Sequence, residues 1–135
     1  MNYKLEHIGI AVRDLEVSIK TYETLLNTKC FKRETVESEG VITAFFQTEN
    51  TKIELLEAIN ENSLIHKFIQ KKGEGIHHMA FEVKDIKTEM SRLAEEGYRL
   101  LNKEPKQGAD QKLVCFIHPK DTSGVLLELC QELNS

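Results

Sequence analysis

A chain of 135 residues, 40% hydrophobic and 30% charged, has the size and composition of one soluble globular domain. Its net charge of −4, with both signs interspersed, argues against nucleic acid as a main partner, and no apolar run reaches membrane-spanning length. Cys30, Cys115 and Cys130 are odd in number and form no C-x-x-C pair, so they read as free thiols; together with the absence of a signal-peptide pattern, this predicts a cytoplasmic protein.

Tyr3–Val12 alternates with the period of a strand, placing Ile8, Ile10 and Val12 on one face and His7, Gly9 and Ala11 on the other. Asp14 is placed to cap a helix running to Leu26, whose Leu15, Ile19, Tyr22 and Leu26 recur at helical spacing. Three strands are predicted next, over Lys29–Val36, Val41–Gln47 and Thr51–Ala58, with Glu49-Asn50 turning between the last two. Ser63 caps a short helix, Leu64–Gln70, that stops at Lys72-Gly73. A strand through His78, a helix capped by Asp85 and ended by Gly97, and strands over Tyr98–Asn102, Lys112–His118 and Gly124–Gln131 complete the prediction.

The second half replays the first. Glu6-His7-Ile8-Gly9-Ile10-Ala11-Val12-Arg13-Asp14-Leu15 aligns without a gap on His77-His78-Met79-Ala80-Phe81-Glu82-Val83-Lys84-Asp85-Ile86. The ends repeat too, as Ile53-Glu54-Leu55-Leu56 and Leu127-Glu128-Leu129-Cys130. The pattern predicts one domain of two modules, about 3–58 and 75–132, joined by a helical connection over 59–74. Each module offers one histidine from its first strand and one carboxylate from its last. Two imidazoles and two carboxylates suit a divalent transition metal that keeps positions open for a substrate. Singly, each of these residues has an ordinary structural explanation; their recurrence in register is what points to His7, Glu54, His78 and Glu128 as ligands. His77 faces away from them and reads as a core or interface contact, His66 lies on an exposed helix face and reads as solvated, and His118 ends a strand before Pro119 and reads as structural. Lys103, Lys106, Lys112 and Lys120 crowd the last third and suit the steering of phosphates.

These stretches, with Gly73-Glu74-Gly75-Ile76-His77-His78, His118-Pro119-Lys120 and Gly124-Val125-Leu126-Leu127-Glu128-Leu129, resemble the vicinal oxygen chelate (glyoxalase-like) superfamily and, within it, the methylmalonyl-CoA epimerase family. The resemblance extends over nearly the whole chain. It implies an α+β fold of two paired βαβββ modules forming a metal-containing cleft, and a homodimer acting on an acyl-CoA. One divalent ion per chain (cobalt, zinc, manganese or nickel) is implied at His7, Glu54, His78 and Glu128. The implied reaction interconverts the R and S epimers of methylmalonyl-CoA through a metal-stabilised enolate, with Glu128 and Glu54 as acid–base groups. Some epimerases carry a glutamate in the third strand where this chain has Thr43. Thr43, Lys112 and Lys120 are the expected substrate contacts. The alternatives on the same fold are a glyoxalase I-like lyase acting on a glutathione adduct, a ring-cleaving dioxygenase with two histidines and one carboxylate, and a non-catalytic small-molecule binder of the bleomycin-resistance kind.

Overall fold

The structure, a computed structural model, describes residues 3–133. Its elements follow the order β1 (Lys4–Ala11), α1 (Leu15–Leu26), β2 (Lys32–Val36), β3 (Val41–Gln47), β4 (Lys52–Ala58), α2 (Leu64–Lys72), β5 (Gly75–Glu82), α3 (Ile86–Glu95), β6 (Lys106–Gln107), β7 (Lys112–Ile117) and β8 (Leu127–Glu132). The chain forms two compact units. The first spans His7–His77, and the second takes, among the described residues, 3–6 and 78–133. None of the described helices is long and apolar enough to cross a membrane.

In the first unit the strand order is β2-β3-β4-β1, with β1 parallel to β4 and the other neighbours antiparallel. Strand alternation sorts the side chains into two sets. Ile10, Ile53, Leu55, Ala44 and Phe46 meet Leu15, Ile19, Tyr22 and Leu26 of α1 in one apolar cluster. Phe46 and Leu55 are fully buried there, and each such side chain contributes roughly 1.5–3 kcal/mol through burial. The opposite set, which includes His7, Glu54, Phe45 and Thr43, forms the histidine face.

The second unit repeats this plan as β5-β8-β7-β6, with β5 parallel to β8. Ile86, Met90 and Leu93 of α3 pack on Phe81, Leu127, Leu129, Cys115 and Ile117. The two helix starts match closely. Asp14 (φ −133°, ψ 104°) accepts from the Val17 N–H, and Asp85 (φ −138°, ψ 98°) accepts from the Thr88 N–H. A second side chain reaches each helix from the last strand of its unit. The Leu15 N–H donates to Glu57 Oε1 at 2.6 Å, and the Ile86 N–H donates to Gln131 Oε1 at 2.8 Å. Both helices thus have two of their unpaired first-turn donors satisfied.

One predicted strand is absent. Tyr98–Asn102 makes only a single bridge, Leu100 to Ile117, and the short β6 lies further on, after Pro105. The reason is the Asn102 side chain. Its Nδ2 donates to the carbonyls of Glu104 (2.7 Å) and Val114 (3.1 Å), and its Oδ1 accepts from the Phe116 N–H at 3.0 Å. These bonds replace the backbone ladder beside β7 and turn the chain away from it. The predicted starts of β2 and β8 also recede, to Lys32 and Leu127. Removing the amide should leave the partly buried Phe116 N–H without its partner. Asn102→Ala is therefore expected to lower unfolding free energy by about 1–3 kcal/mol, read as a fall in the urea midpoint at unchanged slope.

Candidate functional site: two buried histidine–glutamate pairs

In the first unit, parallel register sets Gly9 opposite Glu54, two residues beyond His7. His7 and Glu54 then share a face, and the missing side chain at Gly9 leaves the carboxylate free to lean towards the imidazole. His7 Nε2 lies 3.3 Å from Glu54 Oε1, with both residues buried. In the second unit Ala80 faces Glu128, two residues beyond His78, and His78 Nε2 again lies 3.3 Å from Glu128 Oε1. These side chains are also buried. Each predicted ligand pair is thus formed within its own unit, with the same atoms at the same distance.

The third strands extend the match. Phe45 stands opposite Glu54, and Phe116 stands opposite Glu128. Each glutamate is flanked by a small residue on one side and a phenylalanine on the other. The Phe116 ring meets the His78 ring edge-on, 6.0 Å between centroids at 84°. Both phenylalanines escaped the sequence reading, although aligning Thr43-Ala44-Phe45-Phe46 with Val114-Cys115-Phe116-Ile117 carries the repeat through the third strand.

Thr43 is wholly buried on the histidine face of the first unit, where its hydroxyl donates to the Glu34 carbonyl at 3.4 Å. Lys112, expected to contact substrate, is 3% exposed. Its ammonium faces Glu132 Oε1 at 3.3 Å and carboxylate oxygens of Glu6 and Asp110 at 3.9 Å each. The pairing compensates a buried ammonium, with Glu6 buried beside it and Glu132 reaching in from the surface. Lys120 is exposed in the turn Pro119–Asp121, where its backbone N–H donates to His118 Nδ1 at 3.1 Å. His118 is a turn-capping residue, and His77 packs edge-on against Phe68 at 4.9 Å.

The family model for the glyoxalase/bleomycin resistance protein/dioxygenase superfamily matches residues 6–116. Ethylmalonyl-CoA/methylmalonyl-CoA epimerase of Cereibacter sphaeroides is 43% identical over 130 residues, covering 95% of this chain and 97% of the relative. The chain belongs to the methylmalonyl-CoA epimerase family of that superfamily. Its fold is the α+β glyoxalase-like fold. A solved hypothetical protein, BH1468 of Bacillus halodurans, superposes with a TM-score of 0.96 at 42% identity, covering 100% of this chain and 98% of that one. A methylmalonyl-CoA epimerase solved with methylmalonyl-CoA and NH4+ gives 0.93 at 33% identity, covering 99% and 97%.

Cys130 lies on the histidine face between Glu128 and Glu132, where a reactive thiol would compete for any ion or electrophile. Burial, reinforced by the Glu128 and Glu6 charges, pushes its thiol far above the usual range. Burial alone raises Cys115 to about 11. At pH 8 both should stay protonated and inert. Iodoacetamide is expected to label half-buried Cys30 first, and Cys115 and Cys130 only after denaturation, as read by peptide mass spectrometry.

Proposed function

We infer that this chain interconverts the R and S epimers of methylmalonyl-CoA, and that His7, Glu54, His78 and Glu128 hold one divalent ion between them. The observation that carries this is the duplicated pair: the same imidazole nitrogen, the same carboxylate oxygen and the same 3.3 Å separation in both units. The name of the 43% identical relative supports the choice of substrate.

The donor set suits a cation. His7, Glu54 and His78 are buried side chains that each offer a ligand atom, and Glu128 repeats Glu54. Two imidazole nitrogens with two carboxylate oxygens match cobalt, zinc, manganese or nickel. When bound, such an ion supplies Lewis-acid stabilisation of negative charge on the thioester oxygen. The residues themselves carry the proton. One glutamate, as the carboxylate, takes the α-hydrogen, the C–H electron pair passes into the thioester carbonyl, and the other glutamate, starting protonated, delivers its proton to the opposite face of the flat carbon. Each imidazole orients its carboxylate. Thr43 has no acid–base capacity near neutral pH, which leaves the two ligand carboxylates as the carriers. The proposal takes the two modules as one domain, extends to a homodimer from the family resemblance, and assigns a cytoplasmic location in keeping with three reduced thiols.

His7→Ala and His78→Ala are each expected to lose tight binding of about one ion per chain, measured by elemental analysis of the purified variants. Unchanged metal content in both would remove the basis of the reading. Glu128→Gln and Glu54→Gln should each lower epimerisation by on the order of 100-fold or more, while exchanging the α-hydrogen of one epimer with deuterated water. Wild-type turnover of both Gln variants with metal bound would refute the two-carboxylate mechanism. Parallel assay with the glutathione–methylglyoxal adduct separates the epimerase from a lyase.

A further inference from the structure

The two modules lead into their glutamate-bearing strands differently. In the first unit, residues 48–51 join β3 to β4, and the ladder continues past Glu54 through the pairs Phe46–Ile53 and Gln47–Lys52. In the second unit the connection from β7 to β8 covers 118–126, and the ladder continues past Glu128 only to Ile117–Leu127. A longer connection leaves more freedom at its ends, and a strand end is held less firmly than its middle. Glu128 therefore depends more than Glu54 on what fixes the chain ahead of it.

Arg99 fixes that chain. Its guanidinium grips Asp121 as a fork, Nε to Oδ2 at 3.1 Å and Nη2 to Oδ1 at 2.8 Å, and its backbone N–H donates to Oδ2 at 2.8 Å. Its carbonyl in turn accepts from the His118 N–H at 2.8 Å. Arg99 is itself anchored, because the neighbouring Tyr98 N–H donates to the Leu93 carbonyl near the end of α3. Inside the connection, the Asp121 N–H donates to the His118 carbonyl at 2.9 Å and the Gly124 N–H to that of Pro119 at 2.8 Å, so the turn is internally braced. The Leu126 carbonyl then accepts from the Met79 N–H, and β8 begins. The bonds from Arg99 hold the Asp121 carboxyl down at about 2, so the clamp stays ionised throughout the neutral range.

We propose that Arg99 and Asp121 are positioning residues for Glu128, acting through it by holding the start of β8 so that the carboxylate keeps its place beside His78. This rests on the reading of Glu128 as an ion-binding, proton-carrying residue. Arg99 is exposed and Asp121 half-buried. An ion pair this open to water contributes little to global stability, whereas a small displacement of a reacting group costs a large factor in rate. The weight of the clamp falls on Glu128 rather than on the fold.

The test is a double-mutant cycle on the full chain: wild type, Asp121→Ala, Glu128→Gln and the double variant. Each is measured for Co2+ affinity, by competition with a chelating dye, and for epimerisation of methylmalonyl-CoA. Asp121→Ala is expected to weaken Co2+ binding and to lower kcat by about 10-fold each, with KM unchanged. In the Glu128→Gln background the same substitution is expected to cost nothing further. Asp121→Asn keeps an oxygen for the Arg99 N–H and should fall between; it replaces the alanine variant in the cycle if that one lacks the cooperative urea transition of wild type. Unchanged affinity and kcat in the Asp121 variants, or losses that add in full to those of Glu128→Gln, overturn the proposal. A wild type that binds Co2+ without epimerising removes the epimerase reading, and the affinity cycle then decides on the clamp alone. A wild type that turns over while the losses add removes the clamp alone, and one that neither binds nor turns over removes both.

Discussion

A carboxylate buried against an imidazole is the constraint around which each unit is built. Glu54 and Glu128 are almost fully withdrawn from water, and a buried carboxylate is costly unless charge or hydrogen bonds compensate it. The compensation depends on register. Parallel pairing of β1 with β4, and of β5 with β8, sets a small residue opposite each glutamate and brings the histidine to the same face. A slip of one residue would turn His7 towards α1 and place Ile8 beside Glu54, exchanging apolar contacts for an isolated charge. The pattern Ile53-Glu54-Leu55 guards against that slip, because its outer residues are claimed by the helix-side cluster.

The same strands secure the helices. Three residues after Glu54 and Glu128, Glu57 or Gln131 reaches the first N–H of the helix in its unit. The glutamate-bearing strand and the helix start are thereby held at a fixed spacing, once through the apolar layer and once through a polar clamp. The modules have kept this frame and diverged at its edges. Thr43 and Glu34 answer Val114 and Lys106, and the buried Lys112 ammonium is paired with buried Glu6, half-buried Asp110 and exposed Glu132.

Much of this was legible in the sequence because the relevant signals are short-range. The alternation of Val41–Gln47 gave that strand its bounds, Asp14 and Asp85 gave both caps, and the repeat marked both histidines and both glutamates. Residues whose role depends on distant partners were missed. Tyr98–Asn102 alternates like a strand, yet one asparagine amide outcompetes the ladder. Lys112, at the start of a polar-flanked strand, reads as a surface lysine until Glu6, more than a hundred positions away in sequence, is found beside it. Phe45 and Phe116 look like ordinary core residues, and only cross-strand register sets them against Glu54 and Glu128.

The division of β1 between the two units has a consequence for how the protein assembles. Lys4–Glu6 belongs with the second unit while His7 onward belongs with the first, and β1 pairs with β4, the last strand of its module. Hairpins such as β2–β3 and β3–β4 need only short loops to close, whereas parallel pairing must first bring the two ends of a module together. Glu6 gains its lysine only after β7 has formed. The histidine-bearing strand is therefore expected to dock after the hairpins, so the chemistry-bearing centre is completed near the end of folding. Nascent or partly unfolded chains would then hold ions poorly, and metal uptake would report on the last step of assembly.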